Sequence, residues 1–206
     1  MQSKDHWEKV YSTKATDSVS WFQEHASHSL RLIQNTGIDP AASIIDVGGG
    51  ASTLVDDLLF QGYKNLTVLD LSAAALNAAQ NRLGKKANDV KWIEGDITKV
   101  TFPKHAFDVW HDRAVFHFLT SEQDRTAYVS AVSYAVKPEG HMIIATFAED
   151  GPTQCSGLPV VRYNAQSLHS EFGESFALLH QEKEAHHTPF GTVQQFVYCY
   201  CKKVIP

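Results

Sequence analysis

The sequence contains little cysteine and few cationic residues, and it lacks long hydrophobic runs. Only three of its 206 residues are cysteines, too few and too unevenly placed for a disulfide framework or a four-ligand zinc site. Eighteen Lys and Arg against 23 Asp and Glu give a formal charge of -5, which argues against a broad nucleic-acid surface. No apolar run reaches the ~18 residues of a membrane-spanning helix, and the polar first thirty residues contain no signal-peptide core. We therefore expect a cytoplasmic protein that does not associate with membranes.

The order of predicted elements indicates one domain, because no repeat, low-complexity tract or linker interrupts it. Short apolar runs alternate with segments of helical periodicity, which is typical of a parallel sheet covered by helices on both faces. The predicted strands are 43–47, 66–69, 90–93, 107–110 and 141–147. The predicted helices lie between Leu54 and Gly62, between Ser72 and Gly84, and over 121–136, the last opened by Thr120 as N-cap. The fold class is α/β, doubly wound.

The pattern changes after residue 147. A loop over 148–163 and a short helix near 165–172 precede two strand-like runs at 176–184 and 193–202. The segment between these runs is too short for a parallel crossover, so we expect them to pair as an antiparallel hairpin.

A glycine-rich turn, Gly48-Gly49-Gly50, follows the first strand and its Asp46. In such sheets ligands bind at the carboxyl ends of the strands, and glycines let a ligand lie against backbone N–H groups. The second strand ends in Asp70, whose carboxylate can accept hydrogen bonds from both hydroxyls of a ribose. The third is followed by Asp96-Ile97, which suits an adenine ring.

The series Asp46-x-Gly48-x-Gly50, Asp70 and Gly95-Asp96-Ile97 resembles class I S-adenosylmethionine-dependent methyltransferases over roughly residues 40–202. A nicotinamide dehydrogenase fits less well, because its third glycine would stand at Thr53. The resemblance implies a Rossmann-like sheet of seven strands in the order 3-2-1-4-5-7-6, with strand 7 antiparallel, and S-adenosylmethionine as cofactor. The implied cofactor residues are Asp46, Gly48, Gly49, Gly50, Asp70, Leu71, Asp96, Ile97, His111, Trp7 and Trp21.

The amino-terminal residues His6-Trp7 and Trp21-Phe22 resemble the cap of a methyltransferase subgroup that includes lysine methyltransferases of elongation factor and citrate synthase. In that subgroup the cap folds over the cofactor. The two tryptophans either face the cofactor or tie the N-terminal helix to the core. The single domain 1–206 is accordingly divided into a helical cap (1–37), a cofactor-binding core (40–147), and an acceptor loop with the C-terminal hairpin (148–206).

Methyl transfer is an in-line displacement, so the enzyme mainly aligns a nucleophile and excludes water. The residues after the fourth strand include neither Asn-Pro-Pro-Tyr nor Asp-x-x-Tyr, because Val115 stands three residues after Asp112. This disfavours a protein-lysine acceptor. His111 and His117 are candidate proton acceptors, and Arg113 is a candidate clamp for an anionic group. Alternatively, Asp112 and Arg113 orient the loop while the histidines pack.

The loop after the fifth strand is the second candidate acceptor region. We expect Cys155 to line the pocket as a neutral thiol and Arg162 to be either a second anion contact or part of a surface salt bridge. No pair of carboxylates stands beside a histidine in a pattern that would suggest a metal site. The predicted function is metal-independent methyl transfer to a small molecule. The alternatives are a protein-lysine methyltransferase and an S-adenosylmethionine-binding module without transferase activity.

Overall fold

The computed structural model describes residues 4–204, which contain nine strands and six α-helices. The strands are β1 (Ser43–Val47), β2 (Asn65–Asp70), β3 (Val90–Glu94), β4 (Phe107–Arg113), β5 (Val136–Phe147), β6 (Gln154–Cys155), β7 (Leu158–Pro159), β8 (Phe176–His187) and β9 (Val193–Lys203). The helices are α1 (Lys4–Thr13), α2 (Ser27–Asn35), α3 (Leu54–Phe60), α4 (Ala73–Leu83), α5 (Glu122–Ala135) and α6 (Ala165–Ser170).

Seven strands form one sheet in the order β3-β2-β1-β4-β5-β9-β8. β1 to β5 pair in parallel, whereas β9 lies antiparallel between β5 and β8. The predicted order 3-2-1-4-5-7-6 is therefore confirmed, with β9 as its antiparallel strand 7. The carboxyl ends of β1 to β4 meet at one edge, where the predicted cofactor residues cluster in sequence.

Both faces of the sheet are buried, as continuous apolar strands require. On one face Trp110 packs against Tyr128 of α5, and its indole N–H donates to the Tyr128 hydroxyl at 3.0 Å. On the other face Ile33 of α2 and Leu54 of α3 pack in the same buried cluster as Ile143 of β5. Within residues 4–204, no helix is both long enough and apolar enough to cross a membrane.

Several element boundaries differ from the sequence prediction. Ser121, not Thr120, is the N-cap of α5, where its hydroxyl accepts from the Asp124 N–H. β4 continues to Arg113, three residues past its predicted end. The residues just before Arg113 are polar but buried, and a search for apolar runs does not detect such residues. β5 begins at Val136, five residues before the predicted start at 141, and residues 137–140 form a bulge within it. The predicted loop 148–163 contains the small β6–β7 hairpin.

Candidate functional site

The glycine turn between β1 and α3 lies tightly against the ends of β2 and β4. Gly48 has a φ of 70°, and a Cβ there would lie 2.0 Å from the Cγ2 of Val115. A Cβ on Gly50 would lie 2.4 Å from the Oδ2 of Asp70. Only glycine fits both positions, since no side chain can approach this closely.

Asp70 at the end of β2 is fixed by two backbone donors. Its Oδ2 accepts from the Gly50 N–H at 3.0 Å, and its Oδ1 accepts from the Ser72 N–H at 2.8 Å. Burial nevertheless raises the pKa of this carboxyl to about 6. The charge state of Asp70 therefore changes just below neutral pH.

Helix α1 is attached to the start of α4 through Glu8. The Ser72 hydroxyl donates to the Glu8 carboxylate at 2.8 Å, and the Ala74 N–H donates to it at 3.2 Å. A carboxylate at these unpaired N–H groups is stabilised by the helix dipole. The N-terminal helix thus contributes an N-terminal cap to a helix of the central fold.

A cavity opens at the carboxyl ends of β1 to β4, and many of the predicted residues line it. The lining includes the predicted cofactor residues Trp7, Trp21, Gly48, Asp70, Leu71 and Ile97. It also includes Arg113 and Cys155, which were predicted for the acceptor side. A second cavity shares Trp21, Gly48 and Arg113 with the first and is lined by Asp46, Gly49 and His111 as well. The structure therefore brings the glycine turn, Asp70 and the N-terminal tryptophans together.

Four aromatic side chains, Trp7, Tyr11, Trp21 and Phe118, form what we call the aromatic wall of the first cavity. The ring of Trp7 contacts those of Trp21 and Phe118 edge-on, with centroids 5.7 Å and 5.2 Å away. The Trp21 indole N–H donates to the Tyr11 hydroxyl at 3.0 Å. The tryptophans thus pack the N-terminal segment onto the core and line the cavity at once. The sequence analysis did not single out Tyr11, which lies on α1 four residues after Trp7.

His111 is buried, and both of its ring nitrogens have partners. Nδ1 lies 2.7 Å from Oδ1 of Asp46, and Nε2 lies 2.8 Å from the Ser29 hydroxyl. A general base needs a nitrogen that can reach the acceptor. The predicted role of His111 as proton acceptor therefore has no support in this geometry.

His117 is fully buried and does not line either cavity. Its Nδ1 accepts from the Phe147 N–H at 3.2 Å. Burial, followed by the nearby charge of Arg113, lowers its pKa to about 3. His117 is therefore a neutral core residue, and its placement does not support the predicted catalytic role.

Arg113 is already paired. Its Nη2 lies 3.3 Å from Oε2 of Glu184, its Nε donates to the Tyr198 hydroxyl at 3.0 Å, and the guanidinium lies 4.2 Å above the ring of Phe196. Its Nη1 also donates to the Trp21 carbonyl at 3.4 Å. An anion clamp needs free donors, so this internal pairing argues against the predicted clamp. Nothing local in the sequence indicated Glu184 as the partner.

Asp112 organises the chain after β4. Its carboxylate accepts from the N–H groups of Val115 and Phe116 at 2.9 Å and 3.1 Å, and from the Tyr128 hydroxyl at 2.5 Å. Burial raises its pKa to about 7. This arrangement agrees with the alternative interpretation, in which Asp112 orients the loop.

The remaining predicted residues differ in placement. Cys155 lines the cavity, and burial raises the pKa of its thiol to about 12, so the thiol is neutral. Asp96 accepts from the N–H of Thr98 at 2.9 Å and lies 3.3 Å from Lys99, outside the cavity lining. Arg162 is exposed, donates to the Gly151 carbonyl and lies outside the lining of both cavities, and it has no salt bridge within the described residues.

Comparisons with known proteins find similarity to methyltransferases. Residues 44–140 match the family model of a methyltransferase domain. Human EEF1A lysine methyltransferase 2 is 24% identical over 193 residues, covering 87% of this chain and 76% of the relative. The eEF1A lysine and N-terminal methyltransferase of Danio rerio is 26% identical over 122 residues. That match covers 59% of this chain but 17% of the relative, so the chain spans less than a fifth of that protein.

A solved structure supports the fold. The 1,6-didemethyltoxoflavin-N1-methyltransferase of Burkholderia thailandensis, determined with S-adenosylhomocysteine, superimposes with a TM-score of 0.71 at 17% identity. The superposition covers 98% of this chain and 84% of that chain. At this identity the likeness concerns the fold.

The relatives correct one prediction. A small molecule was expected as the main partner, but the similar curated proteins are named as lysine methyltransferases of eEF1A, a protein. That expectation rests on Val115, the residue in place of a tyrosine after β4. Three of the four aromatic residues that line the cavity belong instead to the N-terminal segment, so a search for a motif after β4 does not find them.

Proposed function

We propose that this chain, whose residues 44–140 match the family model of a methyltransferase domain, transfers a methyl group from S-adenosylmethionine to a lysine side chain of a protein. The observation that carries the proposal is the aromatic wall, which lines the same cavity as Gly48 and Asp70. The names of the curated relatives support the same acceptor class.

The residues at the glycine turn fit the cofactor. Gly48 lines the cavity, and without a side chain it lets a ligand approach the backbone there. The Oδ2 of Asp46 is buried without a hydrogen-bond partner among the described residues, and a ligand ammonium would satisfy it. Asp70 would hold the ribose, while Leu71 and Ile97 would pack against the adenine. When bound, S-adenosylmethionine supplies an electrophilic methyl group on a sulfonium.

The aromatic wall suits a lysine side chain. Its flat rings can pack along the aliphatic stem of a lysine, and their faces attract the ammonium during entry. A small anionic acceptor would find fewer partners, since the guanidinium of Arg113 is already bonded to Glu184 and Tyr198. The lining is thus better matched to a long, mostly apolar, cationic side chain.

The chemistry requires a neutral amine. Removal of a lysine ammonium from water lowers its pKa, so the proton passes to water as the nitrogen enters the cavity. The lysine nitrogen would then bond to the methyl carbon that a bound S-adenosylmethionine supplies, as the carbon–sulfur bond breaks. The products would be a methylammonium and a thioether. Alignment and desolvation supply the catalysis, with no histidine as general base.

A direct assay tests the proposal. The purified chain is incubated with radiolabelled S-adenosylmethionine and either eEF1A, a protein extract or a metabolite extract of the same cells. We expect label in protein, on lysine residues identified by mass spectrometry, with eEF1A as the first candidate. Label only in the metabolite fraction would overturn the lysine proposal. Tight binding of S-adenosylhomocysteine without turnover on any substrate would indicate a binding module.

A further inference from the structure

Three buried residues from different elements form a hydrogen-bonded chain beside the glycine turn. Asp46 of β1 and His111 of β4 are neighbours in the parallel register, and Ser29 belongs to α2. The His111 ring bridges them, at 2.7 Å from Asp46 and 2.8 Å from Ser29. All three are at least 96% buried. Such polar groups in a core are costly unless each finds a partner.

The chemistry of the partners orients this chain. A carboxylate only accepts hydrogen bonds, so Nδ1 of His111 carries a proton and donates it to Oδ1 of Asp46. The other ring nitrogen, Nε2, lies at hydrogen-bond distance from the Ser29 hydroxyl. Each end of the ring is fixed, and the ring holds one oxygen of Asp46 in place.

The second carboxylate oxygen of Asp46, Oδ2, takes no part in this chain of hydrogen bonds. Oδ2 is buried and has no hydrogen-bond partner in the described part of the chain. It lies 2.3 Å from the position that a Cβ on Gly49 would take, so it faces the glycine turn. Asp46, Gly49 and His111 line the cavity that adjoins the aromatic wall. A buried, unpaired carboxylate oxygen at this place is suited to a cationic donor.

We propose that Ser29 and His111 are positioning residues that hold Asp46 so that its Oδ2 accepts from the α-ammonium of S-adenosylmethionine. In this proposal both residues act on the cofactor through Asp46. The inference rests on the cofactor of the proposed function and adds that helix α2, through Ser29, sets the geometry at the amino-acid end. His111 was predicted as a catalytic and cofactor-binding residue, and the proposal gives it an indirect role instead.

Two ligands separate positioning from general structure. S-Adenosylhomocysteine has the amino-acid end, whereas 5′-methylthioadenosine keeps the adenosine and thioether but lacks that end. Both affinities are measured by isothermal titration calorimetry. Binding of 5′-methylthioadenosine also reports that each variant is folded. The variants are Asp46→Asn, His111→Asn, His111→Gln and the double variant Asp46→Asn/His111→Gln.

The two His111 variants are a matched pair. An asparagine amide nitrogen takes roughly the place of Nδ1, so His111→Asn keeps the donor to Asp46. A glutamine amide nitrogen takes roughly the place of Nε2, so His111→Gln keeps only the contact with Ser29. We expect Asp46→Asn and His111→Gln to weaken S-adenosylhomocysteine binding by about 10- to 100-fold, the size of a lost charge-assisted hydrogen bond. His111→Asn should lose less than His111→Gln by at least about 3-fold, because it keeps the donor to Asp46 and gives up only the anchor on Ser29.

Binding of 5′-methylthioadenosine should change less than about 2-fold in all variants, since it has no group at Asp46. The double variant should bind S-adenosylhomocysteine no more weakly than Asp46→Asn alone. Parallel loss of both ligands in His111→Gln would overturn the proposal in favour of a structural role. Equal losses in His111→Asn and His111→Gln would also overturn it. A wild-type chain that binds neither ligand would overturn the cofactor assignment itself.

Discussion

The guanidinium of Arg113 and the carboxylate of Glu184 form a buried ion pair between the end of β4 and the middle of β8, with the shortest N–O distance at 3.3 Å. Glu184 also accepts from Tyr198 at 2.8 Å and from Gln23 at 2.7 Å. The pair therefore joins the central sheet, the C-terminal hairpin and the N-terminal segment, and it stands where the sequence indicated a substrate clamp.

Removal of Glu184 should destabilise the fold. Glu184→Ala leaves the Arg113 cation buried without its partner, so we expect the free energy of unfolding to fall by about 3–5 kcal/mol in urea titrations. The control Glu184→Gln keeps an acceptor oxygen at the same place and should lose less than half as much. An Ala variant within about 1 kcal/mol of the wild type would show that Arg113 does not depend on this partner.

Truncation of Trp21 should impair the acceptor side of the cavity. Trp21→Ala removes an aromatic face and the donor to Tyr11, and we expect kcat/KM for the protein acceptor to fall at least about 10-fold. Trp21→Phe retains an aromatic face and should fall less. Tyr11→Phe removes only the hydroxyl and isolates the hydrogen bond. Steady-state kinetics at saturating S-adenosylmethionine measures these effects, and equal activity of Trp21→Ala and the wild type would contradict the role of the aromatic wall.

Cofactor affinity should depend on pH through Asp70. Its pKa of about 6 means that the carboxylate becomes protonated as pH falls through this value and loses acceptors for ribose hydroxyls. We expect the Kd for S-adenosylhomocysteine to rise towards about 10-fold per pH unit below pH 6, and to be constant above pH 7. Calorimetry from pH 5 to 8 measures this. Asp70→Asn should bind weakly at every pH, and a wild-type Kd that is flat across the range would exclude Asp70 as the titrating contact.

Stability should depend on pH through His117. Its folded-state pKa is about 3, whereas an unperturbed histidine titrates near 6.5. Between these values the unfolded chain binds a proton that the folded chain does not, so the free energy of unfolding falls as pH decreases below 6.5. We expect His117→Gln to flatten this slope by up to ~1.4 kcal/mol per pH unit. Urea titrations at pH 4.5 to 7.5 compare the two slopes, and identical slopes would show that His117 is not buried neutral.

The positions of the central strands and the glycine turn were predictable because their determinants are local, whereas the strand order was implied by the resemblance to class I methyltransferases. These determinants are short-range sequence patterns: the apolar runs, the capping residue Ser72, and the spacing from Asp46 to Asp70. The bulge at 137–140 could not be predicted from the sequence, because its form depends on how β5 pairs with β4.

The roles of titratable residues were harder to predict, because their partners are distant in sequence. His111 meets Ser29, 82 residues away, and Arg113 meets Glu184, 71 residues away. A histidine or arginine at the end of a strand is equally compatible with catalysis and with a buried network. Only the packing of α2 and β8 against β4 distinguishes the two.

The contact of Glu8 with Ser72 and Ala74 affects where this protein can be cut. The region that matches the methyltransferase family begins at residue 44, yet the N-terminus of α4 receives its capping carboxylate from residue 8. A fragment that starts near residue 40 would lose Glu8, which caps α4. It would also lose Trp7, Tyr11 and Trp21 of the aromatic wall. The segment that matches the family model is therefore shorter than the segment that an expression or truncation experiment must keep intact.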